Sequence, residues 1–306
     1  MLSVKVRRKL DSLTDLPTIP VVLTEILEEI ENEHYNAKHI ASLIEQDQGL
    51  TAKILKTANS PLYGLTRSIS TVDLAIVILG SNVIKEILHS LLLQKMFQKI
   101  GSKLFNADSF WKYSIFCGSA SRYIARKLKY KLVSEAFVTG LMHDIGLLIL
   151  MSNFKTNFSK VRKLQTNESY TLVEAEMEIF ECTHSDVGAW IAEKWNFPDK
   201  ILRAIEFHHT PFFIADEVEY EDEFILNPKF NKLKYPLAAI ISMSEWLSFE
   251  CDMKKWDAEN VQPMYYIDKE LLMNLVSSEY LKHDAALTVV KQGILDEYEK
   301  AVLSLG

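Results

Sequence analysis

A histidine and an aspartate stand side by side in Gly140-Leu141-Met142-His143-Asp144-Ile145-Gly146, inside an otherwise apolar stretch. Burying such a pair is costly unless something satisfies it. Imidazole and carboxylate together are good ligands for a divalent cation, and an aspartate can bridge two ions. Alternatively, His143 and Asp144 cap a helix and hydrogen-bond backbone groups, and the pair by itself leaves both readings open. Two more blocks bear on the choice. His184 opens HSDVGAWIAEKWNFP, and His208 and His209 close AIEFHHTP, at the end of a helix begun by Pro198. A lone histidine on such a helix is more often a satisfied core residue than a ligand. Here, however, four of the eight histidines, with Asp144, fall in three blocks, each at a helix terminus. Helix termini are where side chains from separate helices can converge on one ion.

The elements that must position these groups are helical. Apolar residues recur with a 3.6-residue period along nearly the whole chain, and clean alternation is almost absent. Val22, Leu23, Ile26, Leu27 and Ile30 form one stripe, with Glu25, Glu28, Glu29 and Glu31 largely outside it. Asn36 and Asp47 are placed to cap the next two helices, and Asn59-Ser60-Pro61-Leu62-Tyr63-Gly64 reads as a structured loop. Asn59, Tyr63 and Gly64 suit a tight turn packed on its own lobe. Thr71 starts a short helix that Gly80 ends, and Ser81 caps a longer one. Gly101 to Asn106 breaks the pattern, with Asp108-Ser109 as fresh caps, so a boundary is expected near residue 105. Further helices are expected at about 134–143, 146–152, 156–165, 171–180, 184–195, 199–208, 236–249, 268–277 and 284–304. Thr171-x-x-Glu174 has the form of a capping box. Trp111, Trp190 and Trp195 sit on apolar stripes and read as core. Between Thr210 and Phe224 six acids and no Lys or Arg mark a solvated acidic loop, within about 210–235.

Bulk properties narrow the function classes. With 306 residues and 48% hydrophobic content the chain can bury one large or two medium cores. A net charge of -7 and a pI near 5.7 disfavour broad phosphate neutralisation, so nucleic acid is not the expected partner. Cys117, Cys182 and Cys251 have no CxxC spacing and read as buried thiols in a reducing compartment. The N-terminal MLSVKVRRKLDSL has no apolar core behind its charges, and the longest apolar runs are too short to span a bilayer. A cytoplasmic protein without membrane attachment is the expectation.

The order GLMHDIG, then HSDVGAWIAEKWNFPDKILRAIEFHHTP, resembles the HD superfamily of metal-dependent phosphohydrolases, and within it the HDOD branch. LPTIP at 16–20, IEQDQGLTAKILKTANSPLYG at 44–64, ISTVDLAIVILG at 69–80 and FWKYSIFCGSASRYIARKL at 110–128 resemble HDOD hallmarks. The resemblance covers roughly residues 13–250. It implies an all-α fold: an N-terminal helical lobe over residues 1–105, packed on an HD-like helical domain over 106–306 with a helical C-terminal tail. It also implies candidate metal ligands at His143, Asp144, His184 and His208, with Glu245 at the closing position.

The chain departs from the HD pattern at both ends of that ligand series. Tyr113 stands where catalytic HD enzymes carry a histidine, and Ser244-Glu245 stands where they carry Ala-Asp. No GYP-type signature follows His208-His209. A neutral phenol is a poor ligand beside imidazole, and one extra methylene displaces a carboxylate by about an ångström, enough to spoil a tuned site. The expectation is a bacterial signal-transduction module without catalysis, which binds a signalling protein or a small regulatory ligand. No cofactor is required on this reading, and a single divalent ion is feasible. The alternative is a metal-dependent phosphohydrolase acting on a nucleotide or cyclic dinucleotide.

Overall fold

The computed structural model describes residues 2–13, 21–32, 35–66, 68–99, 106–168, 170–210, 234–253 and 283–305. Among these the chain is all-α, with no strand. The elements are α1 (Val4–Asp11), α2 (Val21–Glu31), α3 (Ala37–Ile44), α4 (Gln48–Ala58), a 3₁₀ turn (Pro61–Tyr63), α5 (Val72–Leu79), α6 (Ser81–Lys99), α7 (Ala107–Lys127), α8 (Val133–Met142), α9 (Ile145–Asn153), α10 (Lys155–Glu168), α11 (Leu172–Phe180), α12 (His184–Lys194), α13 (Asp199–Phe207), α14 (Pro236–Glu250) and α15 (His283–Leu305). LPTIP, the acidic run from Asp216 to Glu223 and the helix expected at 268–277 lie outside the described residues.

Local chemistry sets most helix ends. Asn36 and Asp47 accept backbone N–H bonds at the starts of α3 and α4, as their types require. Asn59 spans its loop, donating to Leu55 O and Ile69 O and accepting from Ile69 N. Thr171 and Glu174 close a capping box on α11. At α7 the sequence expectation is corrected: the cap is Asn106, whose side chain accepts from Ser109 N, and Asp108 lies inside the first turn. The amphipathic helix α1, which the N-terminal charges alone did not suggest, buries Val6 and Leu10. Its polar face meets the second half of the chain through Lys5–Glu181, Arg7–Glu193 and Asp11–Lys194.

Helix α7 is the central strut. It packs on α8, α14 and α15, and thirteen of its residues are buried. The α12 helix packs against both α9 and α13, which brings the three histidine-bearing blocks together. The C-terminal α15 lies against α7 and also touches α4, α6 and the 3₁₀ turn. The stretch Val133–Asn153 has the length and apolarity of a membrane span, yet it is two helices broken at His143-Asp144 and mostly buried within the protein.

Candidate metal centre

Two glycines decide how closely the site can assemble. A Cβ on Gly146 would lie 2.0 Å from His184 O, and one on Gly188 would lie 2.8 Å from the Ile205 side chain. Only hydrogen at these positions lets α9, α12 and α13 approach so nearly. The result sets the α8–α9 break beside the start of α12 and the end of α13.

His143 and His208 are held by the same local device. Each is the C-cap of its helix, and each turns Nδ1 back to the carbonyl three residues earlier: Gly140 O at 2.8 Å and Ile205 O at 2.6 Å. The bond satisfies a last-turn carbonyl and points Nε2 into the pocket. His184 is held differently. Its Nδ1 lies 2.7 Å from Glu176 Oε2, and the same oxygen accepts the His184 backbone N–H at 2.9 Å. All three imidazoles are buried.

Asp144 is the N-cap of α9, yet its side chain makes no capping bond. The reading in which this aspartate serves only as a cap is thereby excluded. Its two oxygens face opposite ways. Oδ2 accepts a hydrogen bond from the Tyr113 hydroxyl at 3.0 Å and lies 3.3 Å from His143 Nε2; Oδ1 lies 3.3 Å from His184 Nε2 and 3.9 Å from His208 Nε2. The Tyr113 oxygen is also 3.2 Å from His143 Nε2, so the phenol sits across the His-Asp pair.

The five residues expected from the sequence therefore do converge: His143, Asp144, His184, His208 and Glu245 line one buried pocket. Two groups of three have ligand atoms within 4.8 Å of one another, His184 with His208 and His209, and His143 with His208 and Glu245. His209 Nε2 is 2.7 Å from His184 Nε2, and its Nδ1 is 3.7 Å from Glu245 Oε2. Glu245 follows Ser244, whose hydroxyl accepts from Ser121 Oγ of α7 at 3.0 Å. Tyr113, Ser121 and the α8 packing thus tie one strut to three sides of the pocket. Glu176 escaped sequence inspection: it lies eight residues before His184, inside an ordinary amphipathic helix. Its position among Glu174, Glu178 and Glu181 hides it, since nothing in the sequence marks which of these glutamates is buried.

Electrostatics in the pocket is strongly coupled. Burial disfavours charge on His143, but Asp144, with Glu245 behind it, outweighs this and raises the imidazole pKa. For His184 burial is again overcome, here by Glu176 and Asp144, and the pKa rises to about 10. His208 goes the other way. Burial and the neighbouring charges of His143 and His184 push it well below the usual imidazole range. Asp144 is held well below the carboxylate range, because His143 and His184 override its burial. With Nδ1 turned to Ile205 O, His208 Nε2 is a buried nitrogen that has no hydrogen-bond partner among the described residues. A buried lone pair without a donor is a ready position for a cation.

A second polar cluster joins the N-terminal helices to the strut. Arg122 of α7 pairs with Glu86 of α6, both almost fully buried, and Tyr63 donates its hydroxyl to Glu86 at 2.8 Å. The Arg122 guanidinium lies 3.9 Å over the Phe137 ring. Nearby, two small cavities of about 40 and 90 Å³ open beside α6 and share His89, Phe197 and Pro198. His89 stacks on Phe197 at 4.6 Å between ring centroids.

Comparison with known proteins follows the same outline. A sequence model of the HDOD domain matches residues 16–211. An uncharacterised protein of Treponema pallidum is 24% identical over 201 residues, covering 65% of this chain and 39% of its own length. The Bacillus subtilis protein YuxH, also uncharacterised, is 28% identical over 135 residues, covering 44% and 32%. This chain therefore spans about two fifths or less of the curated relatives it matches. Among solved structures, an HDOD domain protein of unknown function from Geobacter sulfurreducens superposes with a TM-score of 0.70 at 22% identity, covering 97% of this chain and 95% of that one. A Shewanella amazonensis protein provisionally assigned as a phosphohydrolase gives 0.69 at 19%, covering 99% and 97%. A Marinobacter aquaeolei protein provisionally assigned to signal transduction gives 0.61 at 18%, covering 99% and 62%. At these identities the likeness bears on the fold.

Proposed function

The chain belongs to the HDOD family, and from that premise we propose that it is a regulatory module of signal transduction, without hydrolytic turnover, whose pocket takes one divalent cation. One observation carries the reading: the Tyr113 hydroxyl occupies Asp144 Oδ2 and faces His143 Nε2. Cleavage of a phosphoester by paired ions needs a full set of ligands around both ions. Here a neutral phenol, a poor ligand, stands beside Asp144 and His143 where the family resemblance implies an imidazole.

The remaining groups fit one ion. His184, His208 and His209 offer nitrogens close together, Asp144 Oδ1 faces the first two, and the orphaned His208 Nε2 is the atom most in need of a partner. A bound divalent cation supplies positive charge that ties α9, α12 and α13 into one unit. On this reading the module binds a signalling protein, with a small regulatory ligand as the alternative. The His143, His208 and Glu245 group supports the rival reading, a phosphohydrolase of nucleotides or cyclic dinucleotides.

The test combines stoichiometry with turnover. Chelator-stripped protein is titrated with manganese, then assayed with magnesium or manganese on a cyclic dinucleotide and on a generic phosphodiester. At most one equivalent and no turnover are expected. Tyr113→His restores an imidazole and is expected to raise the stoichiometry towards two. Turnover by the unaltered protein, lost in a folded Asp144→Ala variant, would overturn the proposal.

A further inference from the structure

Glu176 does more than its one backbone bond at the start of α12 requires. Its side chain is fully buried, Oε2 takes both N–H groups of His184, and Oε1 has no hydrogen-bond partner among the described residues. The capping box of Thr183 and Asp186 satisfies those two N–H groups at the start of α12, and Glu176 Oε2 takes that of His184. The bond to the ring Nδ1 belongs to no cap. A carboxylate half-satisfied in the interior is unfavourable unless it serves its neighbour. That neighbour is the ring of His184, and the bond to Nδ1 leaves Nε2 no direction but the pocket, where Asp144, His208 and His209 converge.

We propose that Glu176 is a positioning residue for a divalent cation, fixing the His184 ring so that Nε2 faces the ion and strengthening that nitrogen as a ligand. The inference rests on the single-cation reading above. Ligating imidazoles commonly hand their second N–H to a carboxylate, and losing such a partner typically weakens metal affinity roughly 10- to 100-fold. Glu176→Gln keeps the shape and an oxygen able to accept both N–H groups, but removes the anion. Glu176→Ala removes both.

The experiment titrates the full chain, stripped of metal, with zinc chloride by calorimetry for the unaltered protein, E176Q, E176A and H184A, with circular dichroism to check the helices. Affinity is expected to fall about 10- to 100-fold in E176Q and further in E176A. Long-range ¹H–¹⁵N spectra of the zinc-loaded unaltered protein are expected to show His184 with Nδ1 protonated and Nε2 metal-bound, a readout that needs no variant to fold. If H184A loses zinc while E176Q binds as tightly as the unaltered protein, the positioning role is overturned and the site stands. Zinc on Nδ1 of His184 overturns it equally. If the unaltered protein takes up no zinc, both the cation reading and this inference fall.

Discussion

Two buried polar clusters are anchored on α7, one at Tyr113 and one at Arg122, and they are built on opposite terms. Around Arg122 the charges match: guanidinium meets Glu86, Tyr63 completes the carboxylate, and Phe137 covers the cationic face. Burial alone would disfavour the charged arginine, yet Glu86 and the surrounding groups raise its pKa and hold it ionised. Around Asp144, imidazoles of opposite tendency crowd together, with His184 drawn towards protonation and His208 driven from it, and His208 Nε2 has no hydrogen-bond partner among the described residues. A structural cluster closes its own hydrogen-bond inventory, whereas a site prepared for a ligand leaves part of it open.

That contrast is most severely tested at Arg122. Arg122→Ala strands Glu86 in the interior and is expected to cost about 3–5 kcal/mol in urea unfolding. Replacing both partners with apolar residues of similar size should cost much less, and equal losses would show that packing dominates.

At His208 the opposite outcome is expected. His208→Leu removes the unmet Nε2 but also the Nδ1 bond to Ile205 O, so stability without metal should fall by only about 1–2 kcal/mol. Divalent-cation affinity should be lost in the same variant. A large destabilisation would mean that His208 belongs to a closed network after all.

The His184 imidazole gives a pH dependence with a definite sign. Its folded pKa of about 10 lies above the unfolded value of about 6.5. The folded state therefore binds more protons between those limits, and stability falls as pH rises through that window, by at most about 1.4 kcal/mol per pH unit for one proton. The contribution is fully present below the unfolded pKa and lost above the folded one. Melting in metal-free buffer from pH 6 to 10 measures it. Saturating zinc should flatten the slope, because the ion replaces the proton.

The smallest effects belong to the surface. Lys5–Glu181 and Arg7–Glu193 are half or more exposed, so K5A and R7A should each shift stability by less than about 1 kcal/mol. Larger losses would give α1 a docking role beyond its buried Val6 and Leu10.

Much of the fold was legible because its signals are local. Caps at Asn36, Asp47 and Thr171, the loop tied by Asn59, and the ends of α8, α12 and α13 all depend on residues within a few positions of one another. The cap at Asn106 was missed because Asp108 and Ser109 are equally good cap types, and backbone direction decides among them. The short α1 was missed because its few apolar residues find their partners far along the chain.

The sequence by itself determined which groups could do chemistry, since side-chain type and helix-end position are written in it. It supplied His143, Asp144, His184, His208, His209 and Glu245, and it set Tyr113 where an imidazole would be expected. Only the tertiary structure decided how those groups divide. The close crossings at Gly146 and Gly188 turned one aspartate oxygen to a phenol and the other to two histidines, and the packing of α11 brought Glu176 under His184. Orientation of this kind follows from how helices meet, and that geometry depends on the whole bundle at once.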